Sequence, residues 1–352
     1  MATIYDVSKR AGVSTATVSR VVNNNPKVDP RLRQQVLAAM EELRYVPNGS
    51  ARSLVTKQTR RIALLISDIT NPFFAQTARG AQDALDERGY QLLLANSDDQ
   101  PARELRYLST FAETGIDGIL IEPAMPELQS ASGQRSAKRA RAQRLEALGL
   151  PVVGLTSDLV AAHADTVTID EEQTAFRVAD HLLGLGHREV GMINGPEHSA
   201  AGAMRALGYR RALERHGVSY RPELCVFAQF RREAGYDALG SLLSAHPEIT
   251  AMFAADELIA AGVLQSARDL GRRVPQDLAV ACVGDVVLTA ETNPQLTVAA
   301  HPKGYEFGRI GSQLLLERIL APDGFAVAPR KIMLETRLIV RGSTVLGMNA
   351  ES

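Results

Sequence analysis

The chain has 352 residues, 45% of them apolar and 22% charged, with a formal net charge of -1. That is too much chain for one small domain and enough apolar content for a sizeable core, which excludes a predominantly disordered protein. No apolar run approaches the roughly 18 residues of a membrane span, and Met1 to Asp6 lacks a charged-then-apolar leader pattern, so the expected location is cytoplasmic, without a membrane partner.

The charge is unevenly spread. Residues 1–60 hold ten Lys and Arg against four Asp and Glu, a surplus of six, which leaves the remainder at seven net negative charges. A compact basic segment is the electrostatic footprint of a binder of phosphate backbones. Within it, Ile4, Val7 and Ala11 fall at helical spacing, and after Gly12 the apolar face resumes at Val13, Val18, Val21 and Val22. Two short helices separated by a glycine are the pattern of a helix-turn-helix, because the tight turn needs a positive φ that glycine adopts at little cost. Ser14 is placed to cap the second helix. Thr15, Ala16, Thr17, Ser19, Arg20 and Asn23 lie opposite the valines. On such a face Thr15 and Ala16 would meet base edges and Arg20 would donate twice to a guanine, while Thr3, Tyr5, Thr17, Ser19 and Asn23 suit phosphate oxygens. A helical hairpin with a solvated polar face would share the same periodicity.

The run from Tyr5 to Asn23, followed by Tyr45-Val46-Pro47-Asn48 and then Ala51 and Leu54, resembles the headpiece and hinge of the LacI/GalR family of repressors. The resemblance implies a third helix over Val28 to Leu43, with Asp29 as its N-cap and Pro30 at its first position. It implies base reading by Thr15, Ala16 and Arg20, and DNA contacts from Ser14, Asn48, Ala51 and Leu54. The hinge, Asn48 to Val55, carries Gly49, Ser50 and Ser53 and is shorter than about 12 residues, so by itself it forms helix poorly and is expected to fold on DNA. Leu54 would then wedge between base steps in the minor groove.

Beyond Arg60-Arg61 the pattern changes to apolar runs alternating with amphipathic stretches of roughly 15 residues. The runs are Ile62 to Ser67, Gln91 to Asn96, Gly118 to Glu122, Pro151 to Thr156, Glu189 to Asn194, Cys225 to Phe230, Ala251 to Asp256 and Ala279 to Val283. This alternation predicts βαβ units and parallel sheets covered by helices. The fold class expected is therefore α/β, with an N-terminal all-α helix-turn-helix headpiece and a two-lobed sensor that resembles periplasmic binding proteins. The expected division is a headpiece over 1–47, a hinge and linker over 48–60 and a sensor over 61–345. Its first lobe takes about 61–163 and 294–322, and its second about 164–293 and 323–345. Cys225 and Cys282 sit inside apolar runs without metal-ligand spacing and read as buried thiols.

Doubly wound lobes bind ligands at the carboxyl ends of their strands. The segments Asp68 to Phe74, Asn194 to His198 and Met204 to Leu213 resemble the same family's sensor. Candidate effector residues are Asn71, Phe73, Phe74, Thr156, Arg205, Phe230, Asp256, Asp285 and His301. Many sugar-sensing relatives carry further hydroxyl-binding side chains where this chain has Thr156, Ala255 and Gly284. That departure points to a larger, less polar or anionic ligand, with Ala255 and Gly284 leaving room and Arg205 supplying charge. The basic stretch 130–144 reads as a solvated helix face, or else as a further anion contact.

No GxGxxG follows a strand, and GxxxxGK[ST], GxSxG and HExxH are absent, so neither catalysis nor a metal or cofactor is expected. The function expected is a DNA-binding transcriptional regulator, a repressor acting as a homodimer on a pseudo-palindromic double-stranded operator and controlled by a small-molecule effector. The tail after Val340 lacks heptads, so no tetramerising coil is expected. A regulator with a vestigial pocket and a solute-binding protein are the alternatives.

Overall fold

The computed structural model describes residues 2–22, 25–45, 58–124, 131–156, 159, 164–196, 199–284, 287–300, 302–321 and 328–345. The chain divides into two compact units, 1–60 with 115–117, and 61–114 with 118–352.

Among the described residues the first unit contains three helices, α1 (Ile4–Ala11), α2 (Thr15–Val22) and α3 (Pro30–Glu42). Each start is set by a side chain that satisfies backbone N–H groups left open by the first turn. Thr3 and Asp6 form a reciprocal capping box on α1, Ser14 accepts the Thr17 N–H at 3.2 Å, and Asp29 accepts the Arg31 N–H at 2.8 Å ahead of Pro30. Gly12 ends α1 with φ of 66° in the left-handed region, where a side chain would strain the backbone. Val7, Val18, Val21, Val36 and Ala39 close a small core between the three helices. Outside it, Arg10 and Glu42 tie α1 to α3 at 2.6 Å.

Among its described residues the second unit holds two sheets of six strands. The first joins β1 (Arg61–Ile66), β2 (Gln91–Asn96), β3 (Gly118–Ile121), β4 (Val152–Thr156), β5 (Ala164–Ile169) and β11 (Lys331–Leu334) in the order β11-β5-β4-β3-β1-β2, all parallel. The second joins β6 (Val190–Asn194), β7 (Cys225–Phe227), β8 (Ala251–Ala254), β9 (Ala279–Val283), β10 (Thr297–Ala300) and β12 (Arg337–Ile339) in the order β12-β10-β9-β8-β6-β7, with only β12 antiparallel. Central strands such as β3, β6, β8 and β9 are buried at every position, as parallel strands covered by helices on both faces must be.

In the first lobe α4 (Pro72–Asp86) packs on α12 (Gly304–Leu320), and α5 (Pro101–Thr114) and α6 (Ala131–Leu148) lie together. In the second, α7 (Glu171–Gly184) packs on α8 (Ala200–Arg215) and α9 (Arg232–Ala245) on α10 (Glu257–Asp269), with the short α11 (Val287–Glu291) beside α10. Cys282 is buried in β9 and Cys225 half-buried in β7.

The strand pairing corrects the expected lobe limits. β5 (164–169) belongs to the first sheet, β10 (297–300) to the second, and β11 (331–334) returns to the first, so the chain crosses between lobes three times. Both unforeseen strands have diluted apolar patterns: β5 carries Asp165, Thr166 and Thr168 inward, and β10 is a four-residue strand containing two alanines. Asp165 is wholly buried because it pairs with Arg318 at 2.6 Å and Arg330 at 2.9 Å, joining β5 to α12 and to the approach to β11. The basic stretch is partly structural: Arg141 turns inward from α6 onto the buried Glu104 at 2.5 Å, and Arg144 donates to the Ser109 hydroxyl, while 125–130 lie outside the described residues.

Candidate functional site

Two surfaces gather the residues singled out in the sequence. In the first unit, α2 turns Val18 and Val21 into the core, which leaves Ala16 and Arg20 exposed and Thr15, Thr17 and Ser19 half-buried. The Ser14 hydroxyl caps the helix and lies 3.0 Å from that of Thr17. Tyr5 on α1 is exposed. Thr3 is engaged differently from the expectation: its hydroxyl accepts the Asp6 N–H and lies 2.8 Å from Asp6 Oδ2, so a phosphate contact through it would compete with the cap. The Thr3 backbone N–H also holds the Asp6 carboxyl below the usual aspartate range. Asn23, Asn48, Ala51 and Leu54, and with them the hinge, lie outside the described residues.

In the second unit a cavity of about 230 Å3 opens between the lobes, at the carboxyl ends of strands from both sheets. Asn71, Phe73, Phe74, Thr156, Arg205, Phe230 and Asp256 all line it. Asp285 and His301 lie outside the described residues. Several lining residues have structural duties as well. Asn71 caps α4 by accepting the Phe73 N–H at 2.9 Å, and Asp256 caps α10 by accepting the Leu258 N–H at 2.8 Å. The ring of Phe73 packs edge-on against both Phe74 and Phe307, with centroids 5.2 Å away in each case.

Arg205 is buried in the cavity wall and carries partners that its sequence position did not reveal. Its Nε donates to Glu171 at 2.8 Å and a terminal nitrogen to the Ala255 carbonyl at 2.6 Å, with the guanidinium 5.8 Å from the centre of the Phe230 ring. Burial by itself would lower its pKa, but Glu171, Asp256 and Glu257 outweigh that effect and hold it above the usual value. The charge is therefore partnered within the wall. The space expected at Gly284 is also filled, because a Cβ there would stand 1.9 Å from Glu257 Oε2. An open anion slot at Ala255, Gly284 and Arg205 is thus replaced by a packed Arg-Glu network.

The residues missed in the sequence include four acidic ones that closely follow first-lobe strands: Asp68 after β1, Asp98 and Asp99 after β2, and Glu122 after β3. The strand ends themselves were the signal that pointed to them. Asp98, Asp99 and Thr156 have φ of 50°, 56° and 67°, left-handed conformations that cost non-glycine residues energy and concentrate at sites where a side chain must be aimed. The Glu122 Oε2 accepts the Ser67 N–H at 3.0 Å. Burial pushes the Glu122 carboxyl up to about 8, against the pull of Ser67 and with reinforcement from Asp99.

Among the described residues, no group of acidic, histidine and cysteine side chains converges to hold a metal ion, and no helix is long and apolar enough to cross a membrane. A helix-turn-helix unit joined to a two-lobed α/β unit with a cleft is the architecture of a DNA-binding regulator. The model of the bacterial regulatory proteins of the lacI family matches residues 3–48, and that of the periplasmic binding protein-like domain matches 179–344. The chain is 33% identical to the HTH-type transcriptional regulator DegA of Bacillus subtilis (strain 168), over 97% of this chain and 98% of that one. It is 35% identical to catabolite control protein A of Priestia megaterium, over 89% and 91%. The structure of a complex of the transcriptional regulator CelR with cellobiose is 31% identical, with a TM-score of 0.71, covering 97% of this chain and all of that one. The protein belongs to the LacI family; it is a DNA-binding transcriptional regulator and not an enzyme.

Proposed function

We propose that the protein is a repressor that binds a pseudo-palindromic operator as a homodimer and is controlled by a small metabolite, a sugar, sugar derivative or nucleoside-like compound, held between the lobes. The cleft carries this reading: side chains from both lobes line one cavity, so a ligand that bridges them has different contacts in open and closed arrangements and thereby shifts their balance. Relatives named for ribose operon repression and the CelR complex with cellobiose support the ligand class. Division into headpiece 1–47, hinge 48–60 and sensor from 61 onward fits the same reading.

On the DNA side, two copies of α2 in successive major grooves, about one helical turn apart, require a two-fold site. Thr15, Ala16 and Arg20 are the base-reading residues of the proposal, with Tyr5, Ser14, Thr17, Ser19 and Asn23 on phosphates. Asn48, Ala51 and Leu54 act in the minor groove. Arg20→Ala is expected to weaken operator binding by roughly 5- to 150-fold and to relax preference at one base pair. Electrophoretic mobility shifts with operator variants measure this; a uniform loss at every position would make Arg20 a phosphate contact instead. Leu54→Ala is expected to weaken operator binding at least about tenfold, as loss of a kinking wedge. Unchanged affinity in the same assay would exclude that role.

Ligand and operator share one coupled equilibrium, so an effector that lowers operator affinity by some factor is itself bound more weakly to the DNA complex by that factor. Selection of operator fragments from genomic DNA, with and without metabolite panels, tests the whole assignment. No preference for any fragment under any condition would overturn it.

A further inference from the structure

We infer that the ligand of the interlobe cleft is a small hydroxylated organic cation, a protonated amine of amino-sugar type, whose ammonium group faces the first-lobe wall beside Glu122. The inference rests on the cleft being the effector site and adds to it the charge of the ligand.

The walls of the cleft differ in charge. The first-lobe wall presents Asp68, Asp98, Asp99 and Glu122 and no Lys, Arg or His among the described residues that line it. The second-lobe wall presents Glu171, Asp256 and Glu257 with Arg205 and Arg231. Arg205 is held by Glu171, and its Nη1 donates to the Ala255 carbonyl. Arg231 lies in an exposed residue on the far wall. Among the described lining residues seven carboxyl groups stand against two guanidinium groups, a balance that favours a cationic group over an anionic one even with the Glu122 carboxyl protonated.

Local compensation reduces the first-lobe imbalance without removing it. Arg103 pairs with Asp98. The starts of α4 and α5 near this wall each contribute the equivalent of roughly half a positive charge. Glu122 receives the Ser67 N–H, and no cation among the described residues forms an ion pair with it. A carboxyl withdrawn from water without a countercharge is costly to ionise, which accounts for its raised pKa. An ammonium group brought by the ligand supplies that countercharge.

The same wall supplies aromatic faces and edges. Phe73, Phe74 and Phe307 all line the cavity, and Phe230 stands on the opposite wall. Carboxylates combined with aromatic rings suit an organic ammonium, which gains from both charge pairing and the ring quadrupole. The carboxyl groups are spread around the cavity rather than gathered at one point, an arrangement unlike a metal site. Hydroxyl groups on the ligand would donate to the remaining carboxylates and accept from side chains such as Gln229, and the volume of about 230 Å3 suits a compact molecule.

The test uses the full chain and matched probes in calorimetric titrations at pH 6.5 and low salt. Glucosamine, galactosamine and mannosamine are each compared with the parent hexose and the N-acetylated hexosamine, both neutral, and with the parent hexose 6-phosphate. The expected result is that at least one hexosamine binds at least tenfold more tightly than all three of its counterparts. Glu122→Gln should then narrow that preference at least threefold, in a variant whose thermal melt shows a folded sensor. A neutral or phosphorylated counterpart that equals or exceeds its amine in every set overturns the inference, as does failure of every amine to bind. If such a counterpart binds and shifts operator affinity, the effector-site reading stands while the cation is lost. If no member of the sets, and no nucleoside or sugar acid, binds at all, the effector-site reading fails with it.

Discussion

Arg205→Ala is expected to destabilise the sensor by about 3–5 kcal/mol and to abolish its response to effector. The destabilisation arises from what remains: the Glu171 carboxylate, side chain 13% exposed, loses the guanidinium that neutralises it, while the Ala255 carbonyl loses a donor. A buried charge left without its partner costs far more than the pair contributes beyond two apolar residues of similar size. The loss of response follows because Arg205 holds Glu171 against the wall and packs near Phe230, so removing it reshapes the cavity itself. Thermal melting of the variant, together with ligand titration well below its melting point, measures both effects. The double substitution Arg205→Met with Glu171→Leu should recover most of the stability without recovering the response. A single variant with wild-type melting would mean that Glu171 reaches water and the pair is not buried.

Asp165→Asn is the second large effect, also about 3–5 kcal/mol at neutral pH, and it falls on the frame rather than the pocket. Asp165 is fully buried and accepts from Arg318, from the Arg330 side chain and from the Arg330 backbone N–H at 2.8 Å, so the neutral amide leaves Arg318, itself 2% exposed, without its counter-ion. Burial would raise the Asp165 pKa, but the hydrogen bonds from Arg318 and Arg330 prevail and hold it below the usual range. A carboxyl depressed in the folded state stabilises above its unfolded pKa, and that contribution is lost as pH falls through the depressed value. Wild-type stability should therefore decline on acidification below the ordinary aspartate range, and the Asn variant should show a shallower acid limb. Urea denaturation across pH measures the difference; parallel curves would show that another group carries the acid sensitivity.

Asp165 lies in a strand that sequence periodicity did not disclose, whereas the headpiece was legible almost residue by residue. Asp29 and Pro30 at the start of α3, Gly12 at the end of α1 and Ser14 at the start of α2 each act within four residues of themselves. Signals that local survive in a linear reading. β11 pairs with β5 across more than 160 residues, Lys331 opposite Thr166, and which sheet receives such a short strand depends on edges that exist only after both lobes form.

The pocket divides in the same way. Asn71, Phe73, Phe74, Thr156, Arg205, Phe230 and Asp256 were found because strand ends and family resemblance mark positions. What the sequence could not show is a distant partner: Glu171, 34 residues away, holds the Arg205 guanidinium where it lines the cavity. By itself the sequence determined the helix-turn-helix, the α/β class and the location of the cleft, because caps, turns and hydrophobic periods are properties of neighbouring residues. Tertiary structure alone decided which strand joins which sheet, which charges are neutralised and that the cavity is acidic. Burial and ion pairing are set by groups the fold brings together, and no linear spacing encodes the dielectric around a carboxylate.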